Sequence, residues 1–290
     1  MLDINHITVQ SDNVQIFYTQ GTTAWQTWQK PRKCNFIWMM CIGAGAGGTG
    51  GVSGSTVSSI STAGGGSGAI SRALFSANVL PDILYVQVGA GGAGGSGVTA
   101  TGVGGTPGAG SRSFVVINPS GSVPAAFNTV LVSGTTAANT VGAGETAATL
   151  TVAGLANLGT AVFTAGVAGQ ASTIAPFANA TLVTAGMNHA GGGTAQAGFT
   201  YTSQTLGLFP TPVISGGSGT TGGSGAHGVW SWKPMYGIGG ASGGGNGSGI
   251  GGDGGNGGFG CGGGSGGPGT NARGGNGGRG GDGLVIIATF

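Results

Sequence analysis

Short apolar segments alternate with glycine runs along most of this chain. Residues 35–42 are almost wholly apolar and lead directly into a glycine run, and residues 83–88 do the same. A segment that is apolar at nearly every position predicts a β-strand that is covered on both faces. The closing segment, residues 284–290, is suited to pairing with the early strands. Further strands are predicted at residues 14–18, 25–30, 67–75, 113–117 and 284–290.

Residues 239–283 follow a different period. More than half of them are glycine, and Asp253, Asn256 and Phe259 are each separated by two glycines. A three-residue period fits neither an α-helix nor a pleated strand, but it fits the left-handed polyproline-II helix. Two faces of such a helix would be bare backbone, and the third would carry every side chain. The same spacing returns at Arg273, Asn276, Arg279 and Asp282.

One glycine helix alone is expected to be disordered in water, because glycine loses more conformational freedom on folding than any other residue. A stack of such helices, each bonded to several neighbours, would offset that loss. The alternative is a flexible glycine-serine linker, but the apolar segments between the runs need burial and favour the stack. The other runs lie at residues 43–51, 64–68, 89–97, 102–110, 191–193 and 216–225.

The predicted fold class is mainly β, with short strands, packed glycine-rich polyproline-II-type helices forming a polyglycine sandwich, and little or no α-helix. Residues 147–158 fit a strand or a helix equally well. The predicted parts are an N-terminal β segment for attachment or packing (1–42), the first part of the glycine-rich scaffold (43–117), an Ala/Thr-rich, β-leaning lobe (118–215), and the second scaffold part with the closing strand (216–290).

Six glycines of the late run are predicted to be packing surface in the stack. Valine at Gly255 or Gly278 is therefore expected to destabilise the fold, whereas changes at Asn256 or Arg279, on the side-chain face, are expected to be tolerated. The six predicted scaffold glycines are Gly252, Gly255, Gly258, Gly275, Gly278 and Gly281.

Composition removes several classes of function. Charged residues make up 5% of the chain and the net charge is +2, against about 25% charged residues in ordinary globular proteins. Too few cations are available for a nucleic-acid surface. The sequence contains no run of about 18 apolar residues, so membrane insertion is not predicted. The N-terminus lacks the features of a signal peptide. We expect synthesis in the cytoplasm, with the three cysteines as small buried apolar side chains.

Motifs for cofactors, metals and catalysis are weak. The spacing of Gly43, Gly45 and Gly48 fits a dinucleotide fingerprint, but no helix follows it. Residues 277–285 fit one calcium-binding nonapeptide, but tandem copies are needed, and we expect Arg279 and Asp282 to neutralise each other instead. Glu145 has no acidic neighbour and the histidines are scattered. We therefore predict no catalytic residue, no cofactor and no metal ion.

An aromatic cluster is the candidate contact site. His227, Trp230, Trp232 and Tyr236 lie within ten residues and are bordered by glycine. Aromatic rings suit a sugar face or a protein surface. The alternative is that Trp230 and Trp232, on one strand face, cap the end of the glycine sandwich or fill a subunit contact.

The order of these features resembles the glycine-rich domain of bacteriophage tail-fibre and other virion proteins. The likeness rests on a tryptophan-rich strand ending in Pro31, an apolar strand entering a glycine run, the sequence LPDILYVQVGAGGAG at 80–94, and the ending GGDGLVII at 280–287. The late glycine triplets look like the polyglycine-II sandwiches of T-even-type tail-fibre adhesins. The match covers roughly residues 20–117 and 214–290, whereas the Ala/Thr-rich middle departs from it.

The resemblance implies a non-enzymatic structural protein of the virion, made in the host cytoplasm and acting in host attachment through a tail fibre or tail tip. Implied partners are other virion proteins, a host surface glycan or outer-membrane protein, and further copies of the chain, with a trimer favoured. One alternative is a capsid-surface, decoration or head-fibre protein with a role in assembly only. Another is a secreted glycine-rich or calcium-binding repeat protein. In the resembling domains, the strand with Trp25 and Trp28 packs on the scaffold.

Overall fold

The computed structural model describes residues 14–21, 24–54, 62–99, 104–119, 123–135, 144–169, 205–206, 209–210, 217, 221–232 and 235–290. The glycine run predicted at residues 191–193 lies outside these ranges. The described strands, in chain order, are β1 (Val14–Phe17), β2 (Gln26–Gln29), β3 (Phe36–Ile42), β4 (Ser53–Gly54), β5 (Ile70–Ser76), β6 (Ile83–Gln87), β7 (Phe114–Val116), β8 (Thr129–Val132), β9 (Gly159–Thr164), β10 (Thr205–Leu206), β11 (Phe209–Pro210), β12 (Trp230–Trp232), β13 (Met235–Gly237), β14 (Gly269–Thr270) and β15 (Leu284–Thr289).

Two antiparallel sheets contain nine of these strands. One has five strands in the order β1-β15-β3-β5-β9, and the other has four in the order β2-β6-β7-β8. The closing strand β15 lies between β1 and β3 and pairs with both, which confirms its predicted pairing with early strands. The mainly β fold class is confirmed as well.

The apolar strand β3 contributes to two cores, one on each face of its sheet. Ile37, Met39 and Cys41 join the larger cluster, which lies between the two sheets. Met40 and Ile42 join a smaller cluster on the outer face of the five-stranded sheet. Alternate residues of a strand point to opposite faces, so burial on both faces explains why β3 is apolar at nearly every position.

Other core residues include the early tryptophans and the cysteines. Trp28 is buried in the larger cluster, and Trp25 and Cys34 pack against it. Cys41 and Cys261 are buried and all three cysteines are free thiols. The stretch at residues 147–158, which fitted a strand or a helix, contains a turn followed by a 3-10 helix at Gly154–Leu158. Two shorter 3-10 helices are described, Ala77–Val79 and Ala126–Asn128.

Beyond one end of the sheets, the glycine segments pack side by side as extended runs, which we call the glycine stack. Each is numbered in chain order. The described runs are run 1 (43–54), run 2 (62–69), run 3 (89–99), run 4 (104–112), run 5 (221–229), run 6 (237–246), run 7 (250–260), run 8 (261–269) and run 9 (272–283).

Run 1 lies at the centre of the stack and shows its hydrogen-bond rule. The amides of Gly43, Ala44 and Gly45 donate, in that order, to runs 2, 4 and 9, and the order repeats in the next two triplets, with N···O distances of 2.7–3.1 Å. Carbonyls of run 1 accept amides from runs 3 and 8. Run 1 is therefore bonded to five neighbours, with a repeat of three residues.

Run 8 has a similar position. Its amides donate to runs 1 and 7, and its carbonyls accept amides from runs 2, 6 and 9. Runs from residues 43–112 and 221–283 therefore share one stack, and β8 and β9, from the Ala/Thr-rich middle, belong to the two sheets. The hydrogen bonds establish the three-residue period, while the polyglycine-II sandwich stays a prediction.

Glycine is required in the stack because neighbouring backbones occupy the place of a side chain. A Cβ atom at Gly255 would overlap the carbonyl oxygen of Ala226, and one at Gly278 would overlap the carbonyl oxygen of Gly255. The other four predicted scaffold glycines, Gly252, Gly258, Gly275 and Gly281, are in the same situation.

The junction is the layer in which strands pass into glycine runs. Five strands of the two main sheets each adjoin a run or lie within one residue of it. Backbone bonds cross-link the layer, for example from the Gly43 amide to the Ala69 carbonyl and from the Gly283 amide to the Gly89 carbonyl. The five strands with their runs are β3 with run 1, β5 with run 2, β6 with run 3, β7 with run 4 and β15 with run 9.

We expect Gly255→Ala to destabilise the protein by about 1–3 kcal/mol, because the added methyl group overpacks the contact with Ala226. Valine there should cost more. Gly247→Ala is the matched control, since a Cβ at Gly247 meets nothing within 4 Å. Urea or thermal unfolding of both variants measures the difference. Equal stabilities would contradict the packing role of Gly255.

Candidate functional site

The aromatic cluster forms a hairpin beside the junction. Strands β12 and β13 pair antiparallel between runs 5 and 6, with Trp230 opposite Gly237 and Ser231 opposite Tyr236. Trp230 and Trp232 lie on the same face of β12, and their ring centroids are 5.7 Å apart. The hairpin therefore holds two of the predicted contact residues in direct contact.

Two rings that are distant in sequence extend this pair into a row, which we call the aromatic row: Tyr18, Phe259, Trp230 and Trp232. Phe259 lies 6.1 Å from Trp230 in an edge-to-face arrangement, and Tyr18 lies 5.7 Å from Phe259. Edge-to-face pairs stabilise aromatic clusters. The row joins the N-terminal strand, run 7 and the hairpin.

Trp230 is the inner member of the row. It packs against the outer cluster of the five-stranded sheet, which contains Ile42, Cys261 and Leu284. Its indole Nε1 is buried, with no hydrogen-bond partner among the described residues. Trp230 thus covers part of the outer face of the five-stranded sheet.

The accessible members of the row are at its ends. Trp232 is 40% exposed and Tyr18 is 46% exposed. His227 is exposed as well, on run 5, and its Nδ1 accepts the amide of Asn256 at 2.9 Å. Tyr236 belongs to β13. Among the predicted contact residues whose side chains are described, Trp232 and His227 are the ones a partner can reach.

A ladder of polar side chains runs across the outer face of the stack. Asn256 Oδ1 accepts the amide of Arg279 at 2.8 Å, and Asp253 Oδ1 accepts the amide of Asn276 at 2.6 Å. Asn276 Oδ1 and Asp282 Oδ1 in turn accept amides of run 3. These side chains bond sideways to the next run. Asn256 therefore has a structural partner that the sequence did not indicate, and the expectation that changes at Asn256 are tolerated gives way to an expected loss of stability.

Arg279 and Asp282 form the ion pair expected from their spacing. Asp282 therefore bonds both a guanidinium and a run 3 amide. The described residues contain no group of three or more His, Cys, Asp or Glu side chains that could hold a metal ion. Gly45 and Gly48, of the dinucleotide spacing, donate to run 9. No helix in the described part of the chain is long and apolar enough to cross a membrane.

A buried carboxyl group lies at the junction. Glu145 is almost completely enclosed. Its Oε2 accepts the amide of Ala69 at 2.7 Å, and its Oε1 accepts the hydroxyl of Ser133 at 2.8 Å. The carboxyl group fills the space where a Cβ at Gly43 or Gly134 would be. Glu145 thus bridges the start of β5 and the end of β8 beside run 1.

Burial dominates the ionisation of this group. Desolvation raises the pKa of Glu145 from 4.5 to about 8, although the hydrogen bonds from Ala69 and Ser133 and the charge of Arg112 act in the opposite direction. The folded protein therefore favours the protonated acid at neutral pH. Burial also raises the pKa of the Cys41 thiol, and a negative charge on Glu145 acts in the same direction.

A family model described as a glycine-rich domain matches residues 19–289. The chain belongs to this glycine-rich domain family. Comparison with curated proteins gave no match. The match extends through the sheets and the stack together, so the Ala/Thr-rich middle lies within the glycine-rich domain.

Sequence reasoning missed three features of this glycine-rich domain. Glu145 has no acidic neighbour that indicates catalysis, but it is the one charged residue in residues 118–215, and a lone charge in an uncharged stretch signals a specific role. Tyr18 and Phe259 join the aromatic row through tertiary contacts that no local pattern shows. The polar ladder was visible only as a spacing, without the backbone amides that donate to its side chains.

We expect Asn256→Ala to destabilise the glycine-rich domain by about 1 kcal/mol, because it leaves the Arg279 amide without its acceptor. Asn256→Asp is the matched control, since it keeps an acceptor oxygen at the same place. Arg279→Ala removes only an exposed ion pair and should cost less. Thermal unfolding of the three variants measures the order, and an Asn256→Ala variant as stable as wild type would contradict the ladder.

We expect Glu145 to make stability depend on pH. Its folded pKa of about 8 is above the ordinary 4.5, so its contribution is full below pH 4.5 and declines as the pH rises to about 8. The decline is at most about 1.4 kcal/mol per pH unit.

Glu145→Gln keeps an acceptor for Ala69 and cannot ionise, so its stability should change less over this interval. Asp82→Asn, at an exposed carboxyl group, should retain the decline. Denaturant unfolding from pH 4 to pH 9 compares the three proteins. Parallel curves for wild type and Glu145→Gln would contradict a protonated Glu145.

Proposed function

We propose that this chain is a non-enzymatic structural protein of a tailed-bacteriophage virion, a component of the tail fibre or tail tip that contributes to host attachment. The order of its motifs resembles that of such proteins, and its glycine-rich domain supplies a scaffold of the kind that presents a binding surface. The finer scaffold geometry that we propose is a polyglycine-II sandwich. The proposed partners are other virion proteins and the host surface.

The observation that carries the attachment role is the exposed end of the aromatic row. Trp232 is 40% exposed, yet its ring is held by Trp230, which packs on the sheet. A rigid tryptophan supplies a large contact area at a small entropic cost, and tryptophan is enriched at binding hot spots. His227 adds a polar group on the neighbouring run. This surface suits a glycan ring or an apolar patch of an outer-membrane protein.

A second candidate is a capsid-surface, decoration or head-fibre protein with a role in assembly only. The exposed apolar side chains at the far ends of the strands favour it, because such side chains mark protein contacts. Phe127 is 75% exposed there. This candidate requires particle incorporation but no contact with the host cell.

Binding of the purified full chain to host cells tests the attachment role. We expect Trp232→Ala to lower the apparent affinity at least tenfold, which corresponds to about 1.4 kcal/mol. Ile250→Ala is the matched control, because Ile250 is 58% exposed on run 7, away from the row. Loss of binding with Ile250→Ala but not Trp232→Ala would place the contact elsewhere. No binding by wild type, with normal particle incorporation, would favour the assembly role.

A further inference from the structure

Exposed apolar side chains concentrate at the end of the sheets that faces away from the glycine stack. Six of them, between 43% and 75% exposed, belong to the loops and strand ends of this region, and we call them the distal patch. Its members are Phe36, Val79, Ile83, Val123, Phe127 and Leu158.

Backbone contacts connect the segments that carry the patch. Phe36 pairs with Ser76 at the end of β5, directly before the 3-10 helix that contains Val79. At the same end of β5, Phe75 pairs with Gly159, which follows Leu158. The 3-10 helix of Leu158 contacts the 3-10 helix of Phe127. The patch therefore extends across the ends of both sheets.

Charges of both signs border the distal patch. Lys30 Nζ donates to the carbonyls of Ala77 and Leu80 and pairs with Asp82 at 2.9 Å, so its charge is already engaged. Asp82 remains 83% exposed at its side chain. Arg32 and Lys33 lie in the turn between β2 and β3, close to Phe36 in sequence.

We propose that the distal patch is the surface on which a second copy of this chain docks. An apolar centre with an exposed carboxyl group and two cations at its border is complementary to itself, because Asp82, which is 83% exposed although it pairs with Lys30 of its own copy, can also pair with Arg32 or Lys33 of the other. In a symmetric contact the same surface serves both copies. An anionic membrane fits less well, because Asp82 would face it and each of the two cations contributes only about 1 kcal/mol.

This contact is separate from the aromatic row, which lies beside the junction. Self-association through the patch leaves Trp232 accessible and is independent of whether the chain binds a host cell. A failure of the attachment role would therefore leave this inference standing, and the reverse also holds.

Sedimentation velocity of the full chain over a range of concentrations tests the proposal. We expect wild type to self-associate and Phe127→Asp to weaken the association at least tenfold, because a carboxylate would be buried in the apolar centre. Phe127 is mostly exposed in the single chain, so at a concentration where both proteins are monomeric this variant should unfold at the same temperature as wild type. Ile250→Asp, a similarly exposed site on the stack, should associate as wild type does.

A double charge reversal tests the ion pairs proposed at the border of the distal patch. Arg32→Glu with Lys33→Glu should weaken the association, because both positions would then repel Asp82 of the other copy. A wild type that is monomeric at all concentrations would overturn the proposal, as would association that Phe127→Asp leaves unchanged. Binding to phosphatidylserine-containing vesicles that Phe127→Asp abolishes, without self-association, would assign the patch to a membrane instead.

Discussion

The glycine stack depends on one constraint: amides inside a run donate to carbonyls of other runs, and at the glycine positions the neighbouring backbone leaves no room for a Cβ. In run 1 successive amides donate to carbonyls of three neighbouring runs in turn, so no single neighbour accepts all the amides of the run. Because buried amides without partners are costly, runs that are distant in sequence must assemble together. The sheets help by fixing the position of one end of a run, since β3, β5, β6, β7 and β15 each adjoin a run at the junction or lie within one residue of it.

The outer runs of the stack lack neighbours on one side, and their side chains compensate. Asp253, Asn256 and Asn276 each supply an oxygen to an amide of the next run, in place of a backbone carbonyl. Short side chains with acceptors are suited to this position because they reach sideways without adding bulk. The constraint therefore explains why most triplet positions of runs 7 and 9 carry polar side chains.

The sequence predicted the strands well because burial on one or both faces leaves a direct apolar pattern, as in β3 and β15. It predicted that distant runs pack together, but it did not indicate which run bonds to which. Glycine runs are nearly identical to one another, so their own residues do not determine which run bonds to which. The position of each run in the stack depends on the strand that adjoins it. The candidate aromatic cluster was found, whereas its contacts with Tyr18 and Phe259 were not, because these arise from β1 and run 7 meeting in space.

The junction shows why a buried acid is present in so uncharged a protein. Antiparallel strands bond to two neighbours in one plane, whereas a central run bonds to neighbours all around it. Where the two patterns meet, some backbone groups lose a backbone partner. The Ala69 amide is satisfied by Glu145, and the Gly89 amide and the Ile42 carbonyl are satisfied by the hydroxyl of Ser113. A carboxyl group that retains its proton supplies the missing acceptor without placing a charge in the core, so the mismatch between two hydrogen-bond geometries accounts for the position of Glu145.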